Sequence, residues 1–591
     1  MKAVNRCLLA VAALAACSSA ADVTLDWDIT YTTANPDGLF ERRVIGVNGA
    51  FPPPAINVTI NDTLIINTHN SLDVPTSLHA HGMFQNGTAY YDGPVGVTEC
   101  GIPPGGNFTY AIPITQVGTY WIHSHYRGQY MDGLRAPLIL NDPTPPYHYD
   151  EDITVSLNDW YHDQSETGLA TFMNVNNPTG AEPVPQSGLI NNNANATFNF
   201  VPGKTYRVRL INMSALAMFI FSIDNHTMDI IEVEGVYTQR KTVDNIFLTA
   251  AQRYSVLITA KNDTSMNYLM HADMNPDMFD SVPDDLNLNV TAPVIYNQNA
   301  PFAAAMNTDD SVTNFVDTEL VPLQAEAVAP ADISYPLSFD FQVYSDGINR
   351  GAFNGVPYLM PKTPSLLTAL TIGAEYANNS AVYGPQGNGL IAPHLKNIQL
   401  VVNNLDAGLH PFHLHGHVFQ VVARGDGIFN ESVNIINETQ LNPVRRDTVH
   451  IPAESFAVIR FRADNPAVWF FHCHIEWHLE SGLAVQIIEG PEVMADRVKP
   501  PQQMIDNCAA LGWSTTGNAA GKQGLDLSGA PAHVDLIYDG FTAKGKGAMA
   551  ACIISALLGM GTIVWYAQGQ VTPPAAAAKE EEKPEVQEPT Q

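Results

Sequence analysis

Short runs in which apolar and polar positions alternate make up most of the chain between residues 22 and 500. Clear examples span 59–67, 206–212 and 398–404, and each is rich in Ile, Leu, Val or Thr. Alternation with a period of two is typical of β-strands that bury one face, and the Gly, Pro and Asn residues between the runs supply turns. The pattern predicts an all-β protein built from sandwiches or small barrels.

Two phrases of the sequence are similar although they lie far apart. Residues 118–125 read Gly-Thr-Tyr-Trp-Ile-His-Ser-His, and residues 467–474 read Ala-Val-Trp-Phe-Phe-His-Cys-His. With 591 residues the chain is also too long for a single hydrophobic core. Both observations indicate duplicated β-domains. We predict three such domains, at 22–145, 146–300 and 330–500. Residues 501–546 would form a tail and stalk that pack back on them.

Both ends of the chain carry an apolar segment. Residues 1–21 have a basic start, an apolar run and small residues at the end, which is typical of a secretory signal peptide. Residues 547–567 are uncharged and long enough to cross a bilayer as a helix. A buried core helix is the alternative, and the polar tail 568–591 disfavours a lipid-anchor signal.

These segments predict a single-pass membrane protein. The bulk of the chain would lie outside the cell membrane, and residues 568–591 would form a short disordered cytoplasmic tail. Lys544 and Lys546 flank the outer side, against the positive-inside tendency. A translocated amino-terminal ectodomain overrides that bias.

The formal net charge of −31 argues against a nucleic-acid partner, because an acidic surface repels phosphates. It either concentrates cations near the protein or is the ordinary surface of a soluble secreted domain. Twelve Asn-x-Ser/Thr sequons fit a glycosylated lumenal or extracellular chain. They begin at Asn57, Asn61, Asn86, Asn107, Asn195, Asn212, Asn225, Asn262, Asn289, Asn378, Asn430 and Asn437.

The six cysteines divide by their position. Three belong to the signal peptide or the membrane segment: Cys7, Cys17 and Cys552. The other three face an oxidising compartment, where an odd number indicates one disulfide and one thiol with another task. Cys473 stands between two histidines, so Cys100 and Cys508 are the predicted bridge.

Ten of the nineteen histidines fall in four tight clusters. The clusters are His79-Ala-His81, His123-Ser-His125, His410-Pro-Phe-His413-Leu-His415 and His472-Cys473-His474-Ile-Glu-Trp-His478. Imidazole is a common copper ligand, and a thiolate beside it suits a copper ion that cycles between two oxidation states. One cysteine with ten histidines matches no ordinary tetrahedral zinc site. The clusters therefore predict copper.

Strand geometry divides these ligands between two centres. In an extended segment Cys473 faces one way, while His472 and His474 face the other. Cys473 with His410 and His478 fits the His₂Cys site of blue copper. The remaining eight histidines form four His-x-His pairs, enough for a multinuclear centre on the opposite side.

These clusters resemble the copper-binding motifs of the multicopper oxidases over nearly the whole predicted ectodomain. The resemblance implies cupredoxin-like Greek-key domains and four copper ions: one type 1, one type 2 and a type 3 pair. It implies that His79 and His413 hold the type 2 copper. It assigns the type 3 pair to His81, His123, His125, His415, His472 and His474.

Leu483 stands ten residues after Cys473, where blue-copper proteins often have an axial methionine. Leucine cannot coordinate, and the loss of an axial ligand raises the copper potential. Ordinary packing beside the copper is compatible with this role. Asp92 and Glu476 occupy positions where similar oxidases keep carboxylates for the delivery of protons to O₂. The alternative for both is that they orient a copper-binding histidine.

The electron donor must be identified from other residues. Asp406 lies four positions before His410, so a carboxylate is near the type 1 copper. Carboxylates are hard oxygen ligands that bind Fe³⁺ more tightly than Fe²⁺. The sequence resembles the fungal cell-surface ferroxidases of high-affinity iron uptake, in which a Gly-Ala-Glu-Pro loop and two aspartates form the iron site. Glu182, Asp406 and Asp280 match that site, with Asp277 as an alternative to Asp280.

Two observations leave alternatives open at this iron site. Glu182 and Asp280 would also fit as solvated loop acids. Arg350 stands where the ferroxidases tend to carry a tyrosine, and a cation is unfavourable beside Fe²⁺.

The resemblance implies a membrane-anchored ferroxidase that oxidises Fe(II), reduces O₂ to water and passes Fe(III) to an iron permease in the same membrane. The predicted membrane segment supports this function, since most laccases are secreted free. A laccase-like phenol oxidase is the nearest alternative. A non-catalytic copper-binding surface protein is a second alternative, disfavoured because no copper-ligand position is missing.

Overall fold

The structure is a computed structural model that describes residues 20–304, 315–434, 436–536 and 543–569. Nearly all of the predicted signal peptide, with Cys7 and Cys17, and of the predicted cytoplasmic tail lies outside the described residues. The described residues up to Leu536 form one compact unit, and the described residues 543–569 form a second.

Within the compact unit, the strands form three successive pairs of sheets. The first pair contains β1 (Asp22–Ala34), β2 (Arg42–Val47), β3 (Ile56–Thr59), β4 (Thr63–Asn70), β5 (His79–His81), β6 (Asn107–Pro113), β7 (Gly118–His123) and β8 (Arg135–Asn141). Their orders are β2-β1-β4-β6 and β3-β8-β7-β5.

The second pair follows directly. It contains β9 (Glu151–Trp160), β10 (Ser187–Ile190), β11 (Phe198–Asn199), β12 (Thr205–Asn212), β13 (Met218–Ile223), β14 (Met228–Val233), β15 (Val236–Val243), β16 (Asn245–Leu248), β17 (Arg253–Thr259), β18 (Tyr268–Asn275) and β19 (Asn289–Ile295). The sheet orders are β10-β9-β12-β17-β14-β15 and β11-β19-β18-β13-β16. Helix α1 (Ser165–Phe172) lies between β9 and β10 in the chain.

The third pair completes the unit. It contains β20 (Ile333–Val343), β21 (Asn349–Phe353), β22 (Gly389–Ala392), β23 (Asn397–Asn404), β24 (His410–Leu414), β25 (Phe419–Asp426), β26 (Arg445–Arg446), β27 (Thr448–Ile451), β28 (Ser455–Arg462), β29 (Ala467–Cys473) and β30 (Ala484–Glu489). The orders are β21-β20-β23-β28-β25-β26 and β22-β30-β29-β24-β27. Its helices are α2 (Ser365–Thr371), α3 (Ala374–Ala377), α4 (Glu476–Ser481) and α5 (Pro491–Arg497).

The three pairs share one topology. In each, the first long strand lies antiparallel to the next strand of the chain and parallel to a later strand, as β1 with β4, β9 with β12 and β20 with β23. Such crossovers between non-consecutive strands are typical of Greek-key sandwiches. The all-β prediction is therefore confirmed. The domain boundaries stay predictions.

Two polar positions of β12 are buried. Arg207 and Arg209 are each 1% exposed. Arg209 donates to both carboxylate oxygens of Asp152 at 2.7 Å and to Thr119 Oγ1 at 3.0 Å. Arg207 pairs with Glu232. Because a buried charge needs a partner, the polar face of β12 is a paired internal face and not a solvent-facing one.

The sequon at Asn212 differs from the other eleven. Those eleven asparagines are exposed, whereas Asn212 is completely buried. Its amide donates to the carbonyl oxygens of Ala217 at 3.0 Å and Leu248 at 3.1 Å, and its oxygen accepts from the Ser214 N–H. Asn212 therefore cannot carry a sugar in the folded protein.

Cys100 and Cys508 form a disulfide, so the predicted bridge is confirmed. Cys508 lies in α6 (Gln502–Ala510). This helix also contacts the first pair of sheets, because Asn507 donates to the Asn107 carbonyl at 3.1 Å. The bridge fixes α6 to an early segment of the chain.

Replacing both bridge cysteines by alanine will destabilise the compact unit. The bridge joins residues 408 apart and restricts the unfolded chain, so we expect the free energy of unfolding to fall by about 2–5 kcal/mol. Urea unfolding of the copper-free protein, followed by tryptophan fluorescence, measures the change. The reduced parent protein should behave like the variant, and an unchanged midpoint would contradict the prediction.

The second unit contains α7 (Ala543–Gly569). Residues 544–569 of this helix are long and apolar enough to cross a membrane. The predicted membrane segment 547–567 lies within it. This agrees with the predicted C-terminal apolar helix.

Candidate copper and donor sites

Eight histidines project from the ends of strands in the first and third pairs of sheets. In the register of the first pair His79 lies opposite His123, and in the third pair His413 lies opposite His472. His81 completes β5. The other three follow the strands directly: His125, His415 and His474. Similar strand pairings thus present histidines from two distant parts of the chain.

The two groups of histidines meet in one buried cluster. The ring centroids of His81 and His413 are 3.7 Å apart, and those of His79 and His415 are 4.1 Å apart. Three sets of ring nitrogens each lie within 4.8 Å of one another. They are His79 with His413 and His415, His79 with His81 and His123, and His125 with His415 and His472.

The hydrogen bonds of these rings indicate that the cluster holds cations. Five rings donate Nδ1–H to a backbone or carboxylate oxygen, and they are His79, His123, His413, His415 and His472. Each neutral ring then keeps a lone pair on Nε2. Nε2 of His415 and Nε2 of His472 face each other at 3.1 Å with no proton to share.

Protonation of His415 or His472 does not remove the contact between their two Nε2 lone pairs. Burial and neighbouring rings lower the pKa of His415 and of His472 well below the usual value. Nε2 of His79, His123 and His413 is also buried without a partner among the described residues. Converging lone pairs in a dry site fit copper ions, for which neutral imidazole is a ligand.

Cys473, His410 and His478 form a second site. The Cys473 sulfur is 3.8 Å from Nδ1 of His410 and 3.5 Å from Nδ1 of His478. Nε2 of His410 donates to Asp406 at 3.0 Å, and Nε2 of His478 donates to Glu182 at 2.6 Å. Both Nδ1 atoms therefore carry lone pairs, and they are 3.1 Å apart. One cation between them fits the predicted type 1 site.

The thiol and Leu483 are buried within this site. Burial raises the pKa of the Cys473 thiol, so its ionisation requires a cation. The Leu483 carbonyl accepts from the Cys473 N–H at 3.1 Å, and the Leu483 N–H donates to the His478 carbonyl at 3.0 Å. The Leu483 side chain is fully buried and offers no ligand atom, as the sequence predicts.

Asp92 contacts the histidine cluster directly. Its Oδ2 accepts from Nδ1 of His415 at 2.8 Å, and its Oδ1 is 3.2 Å from Nδ1 of His79. Glu476 is buried at the start of α4, two residues after His474. Burial raises the pKa of Glu476 well above its usual value, and the nearby Glu480 raises it further. Asp92 can therefore orient two rings, whereas Glu476 is neutral and can donate a proton.

Glu182 and Asp406 open into one cavity of about 310 Å³. Asp277 and Asp280 line the same cavity, so the structure brings together all four predicted iron-binding acids. Burial raises the pKa of Asp406, but the hydrogen bonds that it accepts from His410 and from the Gly408 N–H outweigh burial and lower the pKa to about 2. The cavity therefore presents anionic oxygens next to both type 1 histidines. We call it the donor cavity.

Met278 joins the two aspartate segments of the donor cavity. Its sulfur accepts the Leu409 N–H at 3.2 Å. A Cβ atom at Gly408 would lie 2.8 Å from the same sulfur, so a larger residue there would displace the Met278 side chain. The sequence reasoning missed Met278, although its position between Asp277 and Asp280 was a usable signal.

Arg350 is compensated by a local acid. Its guanidinium donates to Asp346 at 2.7 Å and 3.2 Å. In the β20–β21 register Arg350 lies opposite Gln342. It does not appear among the described residues that line the donor cavity. The positive charge is therefore paired, which removes the objection that it raised to an iron site.

A larger cavity of about 650 Å³ lies on another side of Glu182. Residues of α1 line it together with Tyr161 and Trp477. Amide and hydroxyl side chains make up much of the remaining wall. Sequence reasoning missed this cavity, because most of its wall comes from residues 161–186, which carry no recognisable motif apart from the loop of Glu182.

Asp447 also contacts the histidine cluster, and sequence reasoning missed it. One carboxylate oxygen is 3.3 Å from Nε2 of His81 and 3.5 Å from Nδ1 of His413. Arg253 donates to both of its oxygens, at 2.7 Å and 2.6 Å. Burial alone would raise the pKa of Asp447, but the Arg253 guanidinium opposes this effect, and the resulting pKa lies below the usual value. The carboxyl is therefore ionised.

Comparisons with known proteins agree with these sites. Three stretches match models of the multicopper oxidase family, at 28–145, 151–299 and 358–493. The chain is 46% identical to iron multicopper oxidase fer1 of Mycosarcoma maydis, over 93% of either chain. It is 45% identical to iron transport multicopper oxidase fio1 of Schizosaccharomyces pombe, over 92% of this chain and 88% of that one.

Solved structures give the same result. The crystal structure of Fet3p, described as a multicopper oxidase that functions in iron import, has a TM-score of 0.84 and 38% identity, over 87% of this chain and 99% of that one. A laccase from Botrytis aclada has a TM-score of 0.76 and 30% identity, over 84% and 92% of the respective chains. Together with a cysteine site and a histidine cluster that fit four copper ions, these matches establish that the chain belongs to the multicopper oxidase family.

Proposed function

We propose that this protein is a membrane-anchored ferroxidase, which oxidises Fe(II) to Fe(III) and uses the electrons to reduce O₂ to water. The observation that carries the proposal is the pair of hydrogen bonds from His410 to Asp406 and from His478 to Glu182. Both carboxylates open into the donor cavity, so an iron ion there lies next to both type 1 histidines. The names of the relatives from Mycosarcoma maydis and Schizosaccharomyces pombe, which include iron, support this donor.

The donor cavity favours the oxidised form of its substrate. Asp406 stays ionised through the working pH range because its pKa is lowered to about 2. Anionic oxygens bind Fe³⁺ more tightly than Fe²⁺, which makes the loss of an electron easier. The hydrogen bonds that His410 and His478 donate to the two acids then provide short routes for that electron.

The overall reaction consumes four Fe²⁺, one O₂ and four protons and yields four Fe³⁺ and two H₂O. Cys473, His410 and His478 would hold one copper ion that supplies single-electron transfer, and the histidine cluster would hold three that supply the chemistry of O₂ reduction. Cys473 is flanked by His472 and His474, so the chain itself links the two centres. Asp92, at His415, and the neutral Glu476 would supply the protons.

We propose the assignment of copper ligands that the family resemblance implies. We assign His79 and His413 to the type 2 copper, and Cys473, His410 and His478 to the type 1 copper with Leu483 beside it. The type 3 pair is assigned to His81, His123, His125, His415, His472 and His474. The ring contacts join His79 and His413 to residues assigned to the type 3 pair, so they support one common cluster, and the division within it stays a prediction.

We also propose that α7 anchors the enzyme in the cell membrane with its catalytic part outside. The length and apolar character of residues 544–569 support an anchor. Residence in the membrane would place the enzyme beside an iron permease that takes up Fe(III). The eleven exposed sequons fit a glycosylated exterior, and the division into three β-domains with a returning tail completes this arrangement.

Removing the charge of Glu182 or of Asp406 will impair iron oxidation selectively. Glu182→Gln and Asp406→Asn keep an oxygen that can accept the histidine N–H. A charge-assisted contact contributes about 1.5–3 kcal/mol, so we expect kcat/KM for Fe²⁺ to fall by roughly tenfold to hundredfold. Oxygen uptake with Fe²⁺ and with a phenol, measured in parallel, tests this. Phenol oxidation should change by less than about twofold, since the type 1 site stays intact.

Asp284→Asn is a matched control, because Asp284 is exposed nearby and does not line the donor cavity. It should leave both activities unchanged. Equal loss of iron and phenol oxidation in the Glu182 and Asp406 variants would refute an iron-specific site.

The third acid can be identified in the same assay. We expect Asp280→Ala to raise KM for Fe²⁺ about tenfold or more, and Asp277→Ala to change it less. The Asp277 segment is already fixed, because the Asn275 side chain accepts the Asp277 N–H at 2.9 Å. A larger effect at Asp277 would exchange the two assignments.

The larger cavity favours a second candidate function, the oxidation of phenols. It borders Glu182, which contacts His478, and Trp477 and Tyr161 give it aromatic surface. A phenol bound there could hydrogen-bond to Glu182. The parallel oxygen-uptake assay distinguishes this function, because a phenol oxidase would prefer the phenol to Fe²⁺.

A further inference from the structure

His81 differs from other rings of the histidine cluster in the nitrogen that it turns towards the metal site. His79, His123, His413, His415 and His472 engage Nδ1 with oxygen and keep Nε2 for the metal. In His81 it is Nε2 that faces oxygen, at 3.3 Å from Asp447 and 3.4 Å from Thr448 Oγ1. Nδ1 of His81 is buried and has no partner among the described residues.

The proton of His81 is therefore placed by Asp447. A carboxylate only accepts, so it stabilises the ring with hydrogen on Nε2 and a lone pair on Nδ1. The hydroxyl of Thr448 donates to the same carboxylate at 2.9 Å and leaves its own oxygen free to accept from His81. The opposite tautomer would turn an N–H towards the copper.

Asp447 is held in place from the second pair of sheets. Arg253, at the start of β17, binds both of its oxygens and also donates to the Thr119 carbonyl at 3.0 Å. Gly82 directly follows His81, and a Cβ atom there would lie 2.7 Å from both Arg253 and Asp447. The ion pair thus packs against the backbone next to the ligand.

Glu234 fixes the backbone of the same segment. It lies in the turn between β14 and β15, and its carboxylate accepts the N–H groups of Asp447 at 2.8 Å and Thr448 at 2.9 Å. It also pairs with Arg446. Arg253, Glu234, Arg446 and Asp447 are all completely buried. Two charged residues of the second pair therefore set the position of Asp447.

We propose that Asp447 is a positioning residue that holds His81 in the tautomer required for copper binding through Nδ1, and that Arg253 and Glu234 hold Asp447. None of the eleven predicted copper ligands lies between residues 146 and 300. The second pair of sheets thus contributes to the copper cluster through this buried network.

Asp447→Asn tests the proposal by copper retention. The amide can donate to Nε2 of His81 and so favours the wrong tautomer. We expect the histidine cluster to bind copper about 10–100-fold more weakly, as is typical when a partner of a metal ligand is changed. Copper per chain after dialysis against graded chelator is the readout. The blue absorption of the Cys473 site should persist, because that site does not contact Asp447.

Arg253→Lys is a second variant in case the first fails to fold. It keeps the charge but loses the two-point contact, so copper loss in the same direction and of smaller size is expected. Glu232→Gln is the matched control, since Glu232 belongs to another buried ion pair of the second pair of sheets and touches no copper-binding histidine. It should lower the unfolding temperature of the copper-free protein and leave copper retention unchanged.

Two results would overturn the proposal. One is copper retention at the level of the parent protein in both the Asp447 and the Arg253 variants. The other is equal copper loss in the Glu232 variant, which would show that general destabilisation explains the copper loss.

Discussion

A Cys473→Ser variant will lack blue absorption and will not take up oxygen with any donor. Serine is similar in size to cysteine, but its hydroxyl does not ionise to give the soft ligand that a thiolate provides. Cys473 is the free cysteine of the compact unit among the described residues, so no other thiol can replace it. The bound copper should fall from four ions to three per chain, because the histidine cluster keeps its own ligands. Absorption spectra, copper analysis and oxygen uptake measure these effects.

Cys552→Ser is the matched control for this substitution. Cys552 lies in α7, which belongs to the second unit, and its replacement should leave absorption and activity unchanged. A Cys473→Ser protein that remains blue would contradict the assignment. Zinc in place of about four coppers in the parent protein would contradict it as well.

Asp92→Asn will slow the reduction of O₂ without slowing the transfer of an electron from Fe²⁺ to the Cys473 site in the absence of oxygen. Asparagine has the same shape but cannot carry the proton that the carboxyl supplies at His415. The loss of a general acid costs about 10²–10⁴-fold in rate. Without oxygen, Fe²⁺ should bleach the blue absorption of the variant at the rate of the parent protein. After oxygen is added, the colour should return more slowly by that factor.

The same experiment separates proton delivery from the orientation of histidines. If Asp92 mainly orients His415 and His79, the variant will lose copper from the cluster. Full copper content with slow return of colour supports proton delivery. Return of colour at the parental rate would exclude both roles.

The most specific predictions from the sequence came from local motifs. The strand period is visible in β4, in which Leu64 and Ile66 are buried. The copper ligands stand in short His-x-His phrases, so their common face follows from strand geometry. Strand β29 ends at Cys473, so strand alternation no longer sets the direction of the next side chain. The His474 ring nevertheless lies against His81. The cluster determines the direction of this ring where the strand no longer does.

Contacts between distant segments could not be predicted from one sequence. Arg253 and Asp447 are separated by 194 positions, and neither stands in a metal-binding phrase. Arg207 and Arg209 occupy polar positions that alternation alone would assign to solvent. Glu182 was recognised through a family resemblance, because a single loop acid has no intrinsic signal. These features depend on how the three pairs of sheets pack together.

The buried sequon at Asn212 has a consequence for the biogenesis of the protein. An acceptor sequence is read on an unfolded chain, whereas the native loop uses both amide hydrogens of Asn212 internally. A chain modified there would lose these bonds and could not close the second pair of sheets. If the chain is glycosylated as proposed, Asn212 must therefore stay unmodified until β12 and its neighbours have assembled.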